Sequence, residues 1–276
     1  MIMNNIEIPS FKTLYIEMFF NDVKLASGSG FLIARNKETR CVFITNKHNV
    51  TGRNPDTNKH ISSTLAEPNF IEIHFHKPNF VNEWVMVRLP LYRDDGSPYW
   101  YEHPSLPSNT DVVALNLNWG DDVACYPYYL EEGQMDRESI DLRPSETVSV
   151  IGFPFGLSSF DRFPIWSTGF LAQDMERVNK DNPVFLIDCR ARQGQSGSAV
   201  IVYRIGEFRT LNKSTGEVKH HIAPNRKVWD FLGIYSGRVN TESDLGRVWH
   251  ISILFELYDL AVSDYEIRKN SKRRLG

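Results

Sequence analysis

Short apolar runs punctuated by turn residues dominate this chain. Runs over 14–20 and 23–34 are separated by Asn21-Asp22, and Lys37-Glu38-Thr39 leads into a third over 41–45. Further runs cover 70–75, 84–91 and 112–117, which makes about six strands before residue 120. A second set of about six covers 147–153, 165–172, 184–189, 199–203, 228–235 and 247–253. Only the stretch over 254–262 carries helical spacing. Evenly spaced short strands with Gly, Pro and Asn turns predict an all-β protein of sandwich or barrel type. The two groups predict two barrels. An N-terminal lobe would cover 1–120, a polar and acidic linker 121–144, and a C-terminal lobe 145–276, ending in a short helix and a basic tail.

Two stretches read as long loops. One, over 92–110, is rich in Pro, Asp and aromatics, including Tyr99-Trp100-Tyr101; the other, over 206–227, is polar and mostly basic. Composition narrows the function classes. With 276 residues, 41% apolar and 24% charged, the chain can bury a sizeable core and is not of disordered type. A net charge of −3 gives no general reason to expect nucleic acid or an anionic membrane as partner. The tail Arg268-Lys269-Asn270-Ser271-Lys272-Arg273-Arg274 reads as a solvated end. No apolar run approaches the ~20 residues that span a bilayer, and the first residues lack the pattern of a signal peptide. Cys41, Cys125 and Cys189 are odd in number and widely spaced, which favours buried free thiols in a reducing, cytoplasmic compartment.

The chemistry centres on Arg192-Gln193-Gly194-Gln195-Ser196-Gly197-Ser198, a glycine-bracketed serine before an apolar strand. A serine hydroxyl is a poor nucleophile until a base lies within hydrogen-bond reach and an acceptor orients that base. Histidine suits the base role because its ordinary pKa lies near neutral pH. His48 follows one strand and Asp111 begins another, so His48, Asp111 and Ser196 are the candidate triad. Asp94, Asp95, Asp121 and Asp122 lie near Asp111 in sequence, but only Asp111 leads directly into an apolar strand that would frame a buried carboxylate. The N–H groups of Gly194 and Ser196 would stabilise the oxyanion, provided Gly194 takes a backbone conformation open mainly to glycine. His74 and His76 alternate on a strand and would share one face, yet no third metal ligand is apparent, and neither a metal nor another cofactor is expected. Ser198 is an alternative hydroxyl that lacks the same glycine setting.

The ordered set Gly28-Ser29-Gly30-Phe31-Leu32-Ile33, Ile44-Thr45-Asn46-Lys47-His48, Asp111-Val112-Val113-Ala114-Leu115 and Gly194-Gln195-Ser196-Gly197-Ser198 resembles a trypsin/chymotrypsin-like serine protease. Bacterial proteases of the high-temperature-requirement type are most similar in flavour, and the resemblance spans residues 12–262. It implies two six-stranded antiparallel β-barrels with the triad between them. Gly233-Ile234-Tyr235-Ser236-Gly237 resembles the family's substrate-pairing strand, which implies substrate contacts at Tyr235, Ser236 and Gly237 and support of the aspartate by Ser236. By position, Arg190, Arg192 and Arg238 would border the primary pocket, where cations favour an acidic substrate side chain.

Three departures matter. Gln195 stands where extracellular members of the family often carry an acid, so no activation by an N-terminal ion pair is expected. Lys47 places a cation next to the base. No C-terminal peptide-binding domain is expected after the last strand. The resulting expectation is a cytoplasmic serine endopeptidase acting on protein or peptide substrates, without nucleic acid or membrane partners. Its restraint would come from a distorted resting oxyanion loop, and a regulatory partner or ligand stays open. A catalytically silent binding module and an esterase on the same fold are the alternatives.

Overall fold

In a computed structural model, residues 6–80, 82–131, 139–212, 214–240 and 242–275 are described. Two curled antiparallel sheets dominate it. The first contains β1 (Thr13–Phe20), β2 (Val23–Ala34), β3 (Val42–Thr45), β4 (Phe70–His76), β5 (Trp84–Pro90), β6 (Trp100–Glu102) and β7 (Val113–Leu115), with β8 (Tyr128–Tyr129) pairing in parallel with β2. Its strand order is β5-β4-β1-β2-β3-β7-β6, so β5 and β6 form its ends. The second contains β9 (Ser139–Ile140), β10 (Thr147–Gly152), β11 (Ile165–Leu171), β12 (Val184–Asp188), β13 (Ala199–Leu211), β14 (Val218–Arg238) and β15 (Leu245–His250). Its order is β10-β11-β12-β15-β14-β13-β9, and β10 also pairs with β13, which closes a ring. This is the double-barrel architecture expected, with one lobe closed and the other an open half-barrel.

The strands next to the cleft read as unbroken apolar runs because both faces are buried. Side chains alternate along a strand, and here each face meets a different core. Phe31, Ile33, Val42, Ile44, Val112 and Ala114 point into a core between the lobes. Leu32, Phe43, Val113 and Leu115 point into the first lobe. Across the interface, Ala199 and Ile201 join the shared core while Val200 and Val202 fill the ring. A five-residue helix, α1 (Ile8–Lys12), precedes β1, and α3 (Leu254–Leu275) ends the chain. Leu254, Leu257, Tyr258 and Ala261 recur at helical spacing and seal the shared core. Burying each large side chain contributes about 1.5–3 kcal/mol.

The two ends cross over. α1 lies against the second lobe, where Trp166 Nε1 donates to Ser10 Oγ at 2.9 Å. α3 lies against the first, where Tyr258 donates to the Arg40 carbonyl at 2.8 Å and Asn116 Nδ2 to the Ala261 carbonyl at 2.6 Å.

Several expectations are corrected. The stretch over 206–227 is not a loop: β13 and β14 run on as a two-stranded ribbon paired as far as Leu211 and Val218. Alternation of Phe208, Thr210, Val218 and His220 with charged neighbours carries the ladder out to a tight turn near Gly216. The stretch over 92–110 contains β6, and Trp100 is a core residue. The basic tail is solvated as expected over 268–270, and it continues α3, with Arg40 stacked 3.6 Å from the Tyr265 ring and Arg268 bonded to Asp264 at 2.5 Å. Residues 132–138 of the expected linker lie outside the described residues; around them, β8 joins the first sheet and β9 the second.

Candidate active site

His48, the expected base, sits on a short helix that the apolar pattern does not reveal. β3 ends at Thr45, whose Oγ1 donates to the Ser29 carbonyl at 2.8 Å. α2 (Lys47–Thr51) starts immediately after buried Asn46 and stops at Gly52, which takes a left-handed φ of 66°. His48 therefore lies in the first turn, with its ring toward the cleft. Asp111 precedes β7 and is 1% exposed. One of its carboxylate oxygens accepts the His48 backbone N–H at 2.9 Å; the other lies 2.7 Å from His48 Nδ1 and accepts the Ser236 hydroxyl at 2.6 Å. A carboxylate only accepts, so Nδ1 carries the proton and the Nε2 lone pair faces the cleft. Asn46 Nδ2 fixes the Asp111 backbone carbonyl from behind at 2.6 Å.

The serine sits on a turn that only glycine permits. Gly194 and Gly197 have φ of 92° and 87°. A Cβ on Gly194 would lie 2.4 Å from the Phe153 carbonyl, and one on Gly197 would lie 2.0 Å from the Ser29 carbonyl. The turn is strapped on both flanks. Ser29 N–H donates to the Ser196 carbonyl at 2.9 Å, and Gly197 N–H to the Tyr235 carbonyl at 3.0 Å. Asn49, next to the base, also donates to the Ser196 carbonyl at 3.2 Å, tying α2 to the nucleophile turn. Buried Gln195 locks the turn from within: its side-chain oxygen accepts the Arg192 N–H at 2.7 Å and its nitrogen donates to Ser167 Oγ at 2.8 Å. The position that could have held an N-terminal ion pair is thus occupied by a neutral, internally satisfied amide.

His48, Asp111, Ser196 and Ser236 line one cavity of about 420 Å³. No hydrogen bond joins Ser196 Oγ to the His48 ring among the described residues, a loose spacing common before substrate binds. Ser198, the alternative hydroxyl, is buried away from the cleft against Gly152, where an added Cβ would sit 1.8 Å from its Oγ.

The backbone N–H groups expected to serve an oxyanion are those of Gly194 and Ser196. Neither the Gly194 nor the Ser196 N–H donates to a protein acceptor among the described residues. The Gln193 carbonyl accepts the Phe155 N–H at 2.6 Å. In a trans peptide the carbonyl and the next N–H point in opposite directions, so Gly194 N–H faces away from the Phe155 turn. The bond to Phe155 fixes the orientation of the Gln193–Gly194 peptide.

The expected substrate contacts divide. Ser236, Gly237 and Arg238 line the cavity. Arg190 and Arg192 do not; they face Asp244, at 3.9 and 3.3 Å, because that acid offers a nearby counter-charge outside the cleft. Tyr235 is corrected as well: its ring is buried in the second lobe against Gly246, and it serves the nucleophile turn only through its backbone. Lys47 points away from the base to Glu102 at 2.6 Å and the Ser108 carbonyl at 2.8 Å. Among the unforeseen residues that line the cavity are Asp56 and Arg247. Arg247 of β15 makes two bonds to Asp56, at 3.1 and 2.7 Å, and bridges the lobes across the cleft.

His74 and His76 do share a face, but neither is arranged with the other around an open site. The His76 ring packs among Phe11, Trp84, Tyr126 and Phe163, and burial pushes its pKa down to about 4. His74 contacts Glu17 and Arg162 through its two nitrogens. Glu17 and Glu72 lie close enough to His74 to form a possible ligand group, but the Arg162 guanidinium already takes Nδ1.

Comparison with known proteins bears on the family and the fold. Residues 28–208 match the family described as trypsin-like peptidase domain. No curated protein matches the sequence. Among solved structures, the serine endoprotease of Yersinia pestis is similar over 92% of this chain and 64% of its own, with a TM-score of 0.50 at 14% identity. This chain thus spans under two-thirds of that structure's length. An inactive-form serine-to-alanine mutant from Mycobacterium tuberculosis H37Rv is similar over 95% of this chain and 93% of its own, with a TM-score of 0.47 at 14% identity. A thermostable serine protease from an extremophilic microorganism is similar over 92% of this chain and 98% of its own, with a TM-score of 0.46 at 10% identity.

Proposed function

This chain belongs to the trypsin-like peptidase domain family, and from that premise we propose that it is a serine endopeptidase working through an acyl-enzyme on Ser196. The observation that carries this reading is the hydrogen-bonded relay Ser236–Asp111–His48, which opens into the cavity that holds Ser196. His48 Nε2 takes the Ser196 proton as Oγ attacks the substrate carbonyl. Asp111 holds the ring and stabilises the imidazolium that forms. The Gly194 and Ser196 N–H groups receive the oxyanion, which contributes about 10²–10³ in rate per donor. His48 then protonates the leaving amine, and water, activated by the same nitrogen, releases the acyl group. The acyl half of the substrate runs along Gly237 and Arg238, where the open α-carbon face of Gly237 leaves room for a peptide. Arg238 in the cavity keeps an acidic side chain as the favoured substrate feature, now without Arg190 and Arg192.

A fluorophosphonate probe tests the assignment. The folded protein should label at Ser196, and Ser196→Ala should not label. Absence of labelling in the folded wild type would leave a silent binding module, and ester turnover without peptide cleavage would indicate an esterase. We also place the protein in a reducing, cytoplasmic compartment. The three thiols are free, and burial pushes Cys125 up to about 12 and Cys189 up to about 11. Among the described residues, no helix is long and apolar enough to cross a membrane. Fractionation that recovers the protein outside the cytoplasm would refute this placement.

A further inference from the structure

The segment between β10 and β11 holds the oxyanion hole from outside and is itself pinned by a histidine. Phe155 and Arg162 in this segment have φ of 55° and 61°, a left-handed conformation rare for bulky residues. Two such residues in one short loop mark a conformation that its surroundings impose. At one end, Phe155 N–H holds the Gln193 carbonyl at 2.6 Å and so keeps the Gly194 N–H turned outward. At the other, the Arg162 guanidinium donates to Nδ1 of His74, which is 1% exposed on β4. His74 Nε2 lies 3.1 Å from Glu17 Oε2. The bonding is self-consistent only for a neutral ring: Nδ1 accepts from Arg162, and Nε2–H donates to Glu17.

The charged and titratable groups around His74 come from every neighbouring strand. Glu17 is on β1 and is bonded to Lys24 of β2. Glu72 is on β4, 3.6 Å from Arg88 of β5. The Tyr15 ring centre is 5.1 Å from that of His74, and its hydroxyl reaches Glu17 at 3.3 Å. Tyr15 also packs edge-on against Phe153, at the root of the loop. Burial first, and then the Arg162 charge, hold His74 below the ordinary histidine pKa, partly countered by Glu17.

We propose that Arg162 is a positioning residue for the oxyanion hole, acting through His74, and that protonation of His74 releases it. A proton on Nδ1 replaces the acceptor with a donor and sets a cation against the guanidinium. Arg162 then leaves, the loop loses its pin, and the Phe155 N–H no longer fixes the Gln193 carbonyl. The peptide is free to turn that carbonyl into the oxyanion site. The inference rests on the endopeptidase reading for its catalytic meaning, but its structural part does not depend on turnover.

Wild type and Arg162→Ala should be compared from about pH 4.5 to about pH 8, a window that spans histidine titration. Two readouts are needed: kcat and KM on a peptide, and the NMR amide resonance of Gly194. At neutral pH the wild type should exceed the variant in kcat by about tenfold or more, part of what a whole oxyanion donor contributes, with KM little changed. Because His74 titrates below the ordinary histidine range, the advantage should be full at neutral pH and fall toward about one in acid. Any pH dependence common to both proteins cancels in the ratio. In wild type the Gly194 resonance should follow His74, and in Arg162→Ala it should not. A rate ratio constant with pH, together with a Gly194 resonance indifferent to His74, overturns the proposal. A Gly194 resonance that follows His74 in a protein that never labels at Ser196 upholds the positioning and overturns the endopeptidase reading. Arg162 is exposed, so the variant should melt close to wild type.

Discussion

The open first lobe and the closed second lobe build their halves of the cleft by different means. His48 and Asp111 come from the open sheet, where side chains do the fixing: Asn46 on the Asp111 carbonyl, Thr45 on the Ser29 carbonyl and Ser236 from across the cleft. Ser196 comes from the ring, where backbone adds most of the fixing to the Gln195 and Asn49 side chains: Gly197 on Tyr235, Tyr235 on Ser198, and two glycines with no room for a Cβ. A lobe without closed pairing can move, so its catalytic groups depend on short side-chain tethers. A closed ladder is rigid, so its nucleophile depends on backbone shape. The first half of the site should therefore be sensitive to chemistry and the second to conformation.

Asp111→Asn is the largest expected effect. It should lower kcat at neutral pH by about 10⁴-fold, because an amide can donate to Nδ1 and impose the wrong tautomer. Circular dichroism and melting should stay near wild type; a rate loss below about tenfold would break the contrast. Gly194→Ala is the conformational counterpart, with an expected loss of about 10²–10³ in kcat from the misplaced donor. Restored activity there would mean that the turn tolerates a Cβ despite the 2.4 Å approach to Phe153.

Asn46→Ala and Gln195→Ala sharpen the comparison on stability. Both remove a buried, hydrogen-bonded amide, so each should cost about 1–3 kcal/mol in urea denaturation. Asn46→Ala should lose more activity per unit of stability, because its partner carries the general base's carboxylate. Equal losses would argue against different rules for the two lobes.

The smallest effect concerns the pair that joins them. Arg247 holds the Asp56 carboxyl below the usual aspartate range. A depressed carboxyl adds stability that is present above its unfolded pKa of about 3.9 and is lost as pH falls through its lower folded pKa. Asp56→Asn should thus destabilise at neutral pH by less than about 1 kcal/mol, since both side chains are partly exposed. The difference in melting temperature should vanish in strong acid; a difference that grows there would assign the wrong sign.

Much of the fold was legible because burial on both faces leaves unbroken apolar runs, as in β2 and β3. The extension of β13 and β14 was not, since a ribbon outside the core carries polar side chains on both faces. α2 was missed because five residues give no periodicity. The segments that carry His48, Asp111 and Ser196 to one cavity were legible as ordered local motifs. Asn49 and Phe155 were not: each bonds to a backbone carbonyl far away in sequence, a contact with no residue pattern of its own. Arg190 and Arg192 were misplaced because spacing from Ser196 cannot reveal Asp244, which claims them from another loop.

The crossing of the chain ends sets an order of assembly on the ribosome. Phe31, Ile33, Val42 and Ile44 emerge early, but Leu254, Leu257, Tyr258 and Ala261, which cover the same core, emerge last. The nascent first lobe must wait with an apolar face uncovered, and contacts of such long sequence separation form slowly. A ribosome-stalled chain ending before Leu254 should bind a hydrophobic dye and resist fluorophosphonate, whereas one extended well past Ala261 should do neither.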